Sequence, residues 1–197
     1  LGSGWFTLGF KGLDKPAPFV KAQLEMIGVS GAEPTIIATG ADWKAKASPN
    51  VNTGTWYSGQ FCGERYDARL DEPNWNLASY DDSQWPAAYA ATVPAHTVAA
   101  QPVQPNRVHE QFNPKHITYL APREYMLDFG TNLNGSVEVR FPKMTAGQTV
   151  EFEYGDQLDG TELESFNQVD TYIASGGENE SFRTRFNYHS FRYMRVR

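Results

Sequence analysis

The stretch Val137-Glu138-Val139-Arg140-Phe141-Pro142-Lys143-Met144-Thr145-Ala146-Gly147-Gln148-Thr149-Val150-Glu151-Phe152-Glu153-Tyr154 decides the fold class. Val137, Val139 and Phe141 alternate with Glu138 and Arg140, and Val150, Phe152 and Tyr154 alternate with Glu151 and Glu153. A period of two belongs to a strand with one buried and one wet face, because successive side chains of extended backbone point to opposite sides. Pro142–Gly147 supplies the loop, so the stretch predicts two antiparallel strands. That pairing would set Arg140 near Glu151 or Glu153, worth about 0.2–1 kcal/mol.

The same pattern recurs outward. Val20, Ala22, Leu24 and Met26 share a face opposite Lys21, Gln23 and Glu25, and Pro34–Ala38 reads as a second strand. The intervening 28–33 has turn chemistry, so a hairpin is expected. Further strands are expected at Arg123–Asp128, Val169–Ala174, Glu180–Arg185 and Phe191–Arg197, with a turn at Ser175–Glu178. Long amphipathic helical patterns are missing. Short strands between Gly-, Pro- and Asn-rich turns point to an all-β chain of β-sandwiches. Pro86 to Pro114 is the least regular stretch and reads as a linker. A boundary near residue 103 gives an aromatic-rich first module, 1–103, and a second sandwich, 104–197.

Composition narrows the function. The 197 residues carry a formal charge of −6 and are 40% hydrophobic, with 5 Trp, 12 Phe and 10 Tyr, enough for a packed core. The acidic balance, with no Lys/Arg run, disfavours nucleic acid as a partner. No apolar stretch approaches the about 20 residues of a membrane-spanning helix, so no membrane partner is expected. The single cysteine, Cys62, forms no intrachain disulfide, and His96, His109, His116 and His189 lack metal-ligand spacing.

Six segments carry a family resemblance. They are Leu1-Gly2-Ser3-Gly4-Trp5-Phe6, Gly63-Glu64-Arg65-Tyr66-Asp67-Ala68-Arg69, Asp81-Asp82-Ser83-Gln84-Trp85, Asp128-Phe129-Gly130-Thr131-Asn132-Leu133-Asn134-Gly135, Asp170-Thr171-Tyr172 and Phe186-Asn187-Tyr188-His189-Ser190-Phe191-Arg192-Tyr193. In this order they resemble the modules that precede the catalytic barrel in glycoside hydrolase family 78, the bacterial α-L-rhamnosidases. Ser3, Thr131 and Ser190 depart from the family pattern. The resemblance implies two β-sandwich modules, the first jelly-roll-like, and a parent that hydrolyses terminal α-L-rhamnosides with inversion. That reaction needs a carboxylic acid and a carboxylate base about 6.5–9.5 Å apart. In the family both sit in an (α/α)6 barrel after these modules. The chain is therefore expected to be a non-catalytic accessory region cut from a longer polypeptide, with its first sandwich missing early strands. Its expected partners are an L-rhamnose-containing glycan and the C-terminal catalytic domain of the same polypeptide. A periplasmic or extracellular location is favoured for a polysaccharide-degrading parent, with a cytoplasmic one open.

The residues themselves leave two roles open, sugar binding and scaffolding. Glu64, Asp67, Asp71, Glu72, Asp81, Asp82, Asp128, Glu162 and Glu164 supply carboxylates, but sequence spacing does not set a catalytic separation. In extended backbone Glu64 and Tyr66 share one face while Arg65, Asp67 and Arg69 share the other. Asp67 then either joins an Asp–Arg network or accepts sugar hydroxyls. The resemblance to carbohydrate-binding module family 67 also makes Asp67 a candidate calcium ligand. Trp75, beside Asn74 and Asn76, and Trp85, after Asp81 and Asp82, join an apolar ring to polar neighbours, the chemistry a sugar needs. Each equally suits a sandwich cap. The candidate carbohydrate contacts are thus Glu64, Tyr66, Asp67, Arg69, Trp75, Asn76 and Trp85. The segment Asp128–Gly135 reads as a turn between strands, or as a surface towards the catalytic barrel, and His189 as a structural or interface histidine.

Overall fold

The computed structural model describes residues 19–28, 33–53, 61–91, 99 and 102–197. Its regular structure among these residues is strand, apart from a single 3-10 turn at Ala68–Leu70. The opening segment, residues 1–6, lies outside the described residues. The described residues divide into two compact units, one within Pro16–Ala47 and Glu72–His109, the other within Ser48–Asp71 and Glu110–Arg197. Ser48–Asp71 groups with Glu110–Arg197 because its strands join that unit's sheet, a long-range pairing that local composition does not reveal.

In the first unit β1 (Gln23–Met26) and β2 (Thr35–Ala38) pair antiparallel, Gln23 opposite Ala38, as the turn chemistry requires. Both strands are exposed on both faces, Leu24 at 56% and Met26 at 46%, so the half-buried reading of this hairpin does not hold. Alternation alone reports amphipathicity, and burial needs an opposing layer. A bridge between Lys44 and Ala87 ties a distant segment into the unit.

The second unit is built on β3 (Asn50–Asn52), β4 (Glu64–Asp67), β5 (His116–Ala121), β6 (Glu124–Gly135), β7 (Glu138–Arg140), β8 (Thr149–Gly155), β9 (Gln157–Asp159), β10 (Glu162–Glu164), β11 (Val169–Ile173), β12 (Ser181–Arg183) and β13 (His189–Val196). Seven of these form one sheet in the order β3-β4-β11-β8-β13-β6-β5, while β12-β7 and β10-β9 are separate two-stranded ribbons. All pairs are antiparallel except β4 with β11.

The strands at the heart of the fold-deciding stretch do not pair with each other. β7 pairs with β12, and β8 sits between β11 and β13. The two instead face one another across the core: Phe141 lies 6.3 Å from Phe152, and Phe182 of β12 stacks on Phe152 at 5.5 Å and 7°. Their alternation is correct about which side chains are buried, but Pro142–Gly147 carries the chain between layers rather than around a hairpin. The expected ion pairs change accordingly. Arg140 lies 3.5 Å from Glu138 on its own strand, and Glu151 and Glu153 take Arg197.

The core collects Phe152, Tyr154, Tyr172, Ala174, Phe182, Phe191 and Met194. Aromatic rings supply much of this burial, with offset and edge contacts throughout. The segment Asp128–Gly135 is part of the long strand β6, and is not a turn. Gly130 adopts φ +76 within it, beside the register shift between Phe191 and Tyr193 of β13. Glycine accepts this left-handed backbone without Cβ strain, so β6 bulges and continues.

Candidate functional site

Three of the family-like segments meet in the second unit. Gly63 delivers β4 to β11 at a distance only glycine permits: a Cβ there would lie 1.7 Å from the Val169 carbonyl oxygen. Glu64 follows, fully buried. Its backbone N–H donates to Asp170 Oδ1 at 2.7 Å. Its carboxylate accepts from the backbone N–H of Arg185 (3.0 Å) and of Phe186 (2.5 Å), and from Asn50 Nδ2 (2.5 Å). Asp170, also fully buried, accepts from the Tyr154 hydroxyl at 2.7 Å and lies 3.0 Å from His189 Nε2. The His189 ring stacks on Tyr154 at 4.1 Å. Burial, followed by the Asp170 charge, pushes the Tyr154 phenol well up, so it stays a hydrogen-bond donor.

Positions separated by more than 100 residues thus share one buried polar network, and its carboxylates find partners, as burial demands. Within this network His189 Nδ1 and Asn50 Oδ1 are buried atoms left without a protein partner among the described residues. The structural reading of His189 describes this placement.

A second pair of segments lock at the β6 bulge. Arg192 forks onto Asp128, Nε to Oδ1 at 2.9 Å and Nη2 to Oδ2 at 3.0 Å, and Gly130 N–H donates to Asp128 Oδ1. The Arg192 fork holds the Asp128 carboxyl down at about 2. Phe129 and Phe191, one residue from each partner, pack edge to face at 5.4 Å.

The seven candidate sugar contacts fall in both units. Glu64 and Tyr66 lie inside the second unit's core. Glu64 has its carboxylate taken, and Tyr66 is 6% exposed, stacked on Tyr172 at 6.1 Å with the Arg185 guanidinium over its ring. Burial, then a hydrogen bond to Asp71, raises the Tyr66 phenol to about 12. Asp67 caps the 3-10 turn, accepting from Arg69 N–H at 3.2 Å, and Arg69 Nε and Nη2 close on its two oxygens at 2.8 and 2.7 Å. The Arg69 fork lowers the Asp67 pKa. Both oxygens therefore serve an arginine. Calcium takes about 6–8 oxygen ligands, and among the described residues no three His, Cys, Asp or Glu side chains gather to hold a metal. Asp67 and its neighbours do not fit a calcium site.

Trp75, Asn76 and Trp85 belong to the first unit. Here the residue that sequence reasoning missed is Glu72. Its carboxylate accepts from Trp85 Nε1 (3.0 Å), from the Tyr80 hydroxyl (2.7 Å) and from Lys46 Nζ. Tyr80 packs edge-on to Trp85 at 5.9 Å. Trp85 is thus pinned at its polar edge. The Asp81-Asp82 segment is spent locally: Asp81 accepts from Ser83 N–H, and Asp82 takes Lys44 at 2.7 Å. Trp75 stands differently, 52% exposed beside exposed Asn76 and in a turn where Asn74 adopts φ 66. No local periodicity marks this hub, because Lys46, Tyr80 and Trp85 reach Glu72 from separate segments.

An all-β unit whose family-like segments interlock defines a class of module, and comparison supplies the family. The chain matches the family described as the alpha-L-rhamnosidase N-terminal domain over residues 1–110, and the bacterial alpha-L-rhamnosidase concanavalin-like domain over residues 118–197. The chain belongs to the α-L-rhamnosidase N-terminal family. It is 34% identical to an alpha-L-rhamnosidase of Streptomyces avermitilis, covering 98% of this chain and 19% of that protein. An alpha-L-rhamnosidase of Formosa agariphila is 28% identical over 93% of this chain and 20% of its own length. Among solved structures, S. avermitilis alpha-L-rhamnosidase complexed with L-rhamnose superposes with a TM-score of 0.77 at 31% identity, over 89% of this chain and 17% of that one. An alpha-L-rhamnosidase from Dictyoglumus thermophilum gives 0.69 at 26% identity, over 83% and 19%. The chain spans about a fifth of the curated relatives it matches.

Proposed function

We propose that this region is a non-catalytic scaffold that braces the catalytic part of an α-L-rhamnosidase. The observation that carries the reading is the inward use of its family-like residues: Glu64, Asp170 and His189 are engaged with Tyr154 and the backbone in the core. Groups so occupied are not offered to a sugar. The carboxylates needed for rhamnoside hydrolysis are supplied, on this reading, elsewhere in the polypeptide. The test is made on the longer rhamnosidase. Glu64→Gln should shorten its half-life against thermal inactivation and leave KM for an aryl rhamnoside unchanged. A changed KM with unchanged half-life would overturn the scaffold reading.

Trp75 favours a second reading, in which the region also holds rhamnosyl carbohydrate. Its exposed indole offers an apolar face to sugar C–H groups, and Asn76 offers an amide to hydroxyls. Calorimetric titration with millimolar L-rhamnose, with and without chelator, checks it. Heat that disappears in Trp75→Ala supports the site, and no heat in either buffer rejects it.

A further inference from the structure

The core-facing side of the seven-stranded sheet is covered over only part of its width. Register places Tyr172, Phe152, Tyr154, Met194, Val196, Leu127, Tyr125, Ile117 and Tyr119 on this one side, running from β11 across to β5. The β7–β12 ribbon lies over the β11 and β8 part, where Phe182 meets Phe152 and Tyr172. Burial then declines across the sheet. Phe152 and Tyr154 are fully buried and Met194 is 3% exposed, yet Tyr125 is 42%, Tyr119 60% and Ile117 63% exposed. Tyr119 and Tyr125 pack edge to face against each other at 5.8 Å. Ile117, Tyr119, Tyr125, Leu127 and Val196 include no charge, although charge on the inner face is a usual means of blunting an edge. Among the described residues β5 is also the last strand of the sheet, so one row of its backbone groups faces away from β6.

We infer that this uncovered half, Ile117, Tyr119 and Tyr125 with the outer edge of β5, is the seat of an apolar strand from the remaining polypeptide of the rhamnosidase. The inference rests on the scaffold reading and names its contact surface. Three observations select that occupant. The face continues the hydrophobic core without a break, so its natural cover is more core. It lacks the acids and amides that a soluble sugar needs beside its aromatic rings. The curated relatives have about four-fifths of their length outside this region, which supplies the chain to cover it.

Hydrogen exchange on the longer rhamnosidase tests the seat directly. The β5 amides that β6 leaves unpaired should exchange at least about 100-fold more slowly than free peptide, independent of protein concentration and of added L-rhamnose. Ile117→Asp/Tyr119→Asp should remove that protection and shorten the thermal half-life at least about tenfold. Thr118→Asp, on the opposite face of the same strand, should do neither. Free-peptide exchange in the unmodified protein overturns the inference. So does protection that rises with protein concentration, which indicates a second copy, or that appears only with rhamnose. An equal effect of Thr118→Asp would show that the strand, not its face, was at stake. If Glu64→Gln shortens the half-life while Ile117→Asp/Tyr119→Asp does not, the scaffold reading stands and this surface falls.

Discussion

Two glutamates, eight positions apart, organise the two units in opposite ways. Glu64 is fully buried and accepts mainly from backbone N–H groups at Arg185 and Phe186, more than 100 residues away. Glu72 keeps partial exposure and accepts from the side chains of Lys46, Tyr80 and Trp85. The first is a fastener for topology: remove it and backbone donors gathered from a distant segment lose their charged partner. The second is a clamp on two aromatic side chains, with solvent near enough to compensate. The difference teaches that the same residue type is structural in both places, but only at Glu64 does the tertiary fold depend on it.

That contrast can be broken hardest at Gly63. Gly63→Ala drives a Cβ into the Val169 carbonyl, and the loss should exceed about 4 kcal/mol or leave no folded protein, read by urea unfolding. Next, Glu64→Ala strands the Arg185 and Phe186 N–H groups, and about 3 kcal/mol or more should be lost by the same measurement. A loss as small as a surface substitution's would abolish the distinction between the two glutamates. Trp85→Phe keeps the ring and removes the donor to Glu72, so about 0.5–1.5 kcal/mol is expected. The pH response sharpens the picture further. Asp128 has its folded pKa depressed to about 2 by Arg192, so its stabilising contribution is present above the ordinary carboxylate range and is lost as pH falls towards 2. In Arg192→Met, the acid limb of the stability profile should flatten between about pH 4 and 2. Trp75→Ala should change stability by no more than about 0.5 kcal/mol, because the ring is half exposed and its loss leaves no cavity.

Much of the fold is legible in alternation. The strands expected at Val169–Ala174, Glu180–Arg185 and Phe191–Arg197 are β11, β12 and β13, and the β1–β2 hairpin follows from its turn chemistry. Partner choice is not legible, because a period of two states which face is apolar and nothing about which strand lies alongside. Hence β7 and β8, neighbours in sequence, face each other across the core. Site residues fail for a related reason. Glu64 and Tyr66 were placed together on one face, which the structure keeps, but whether that face met solvent depended on β11 lying beside it.

The sequence by itself determined the all-β class, the positions of most strands, the absence of an intrachain disulfide and, through six ordered segments, the family. These are local or additive properties: backbone periodicity, residue counts and short patterns survive without knowing what packs where. The tertiary structure decided that β4 runs parallel to β11, that Glu64 and Asp170 share a buried network, and that half of a hydrophobic sheet face stands uncovered at β5. Each depends on contacts between residues far apart in the chain, whose free energy exists only once the intervening loops have closed.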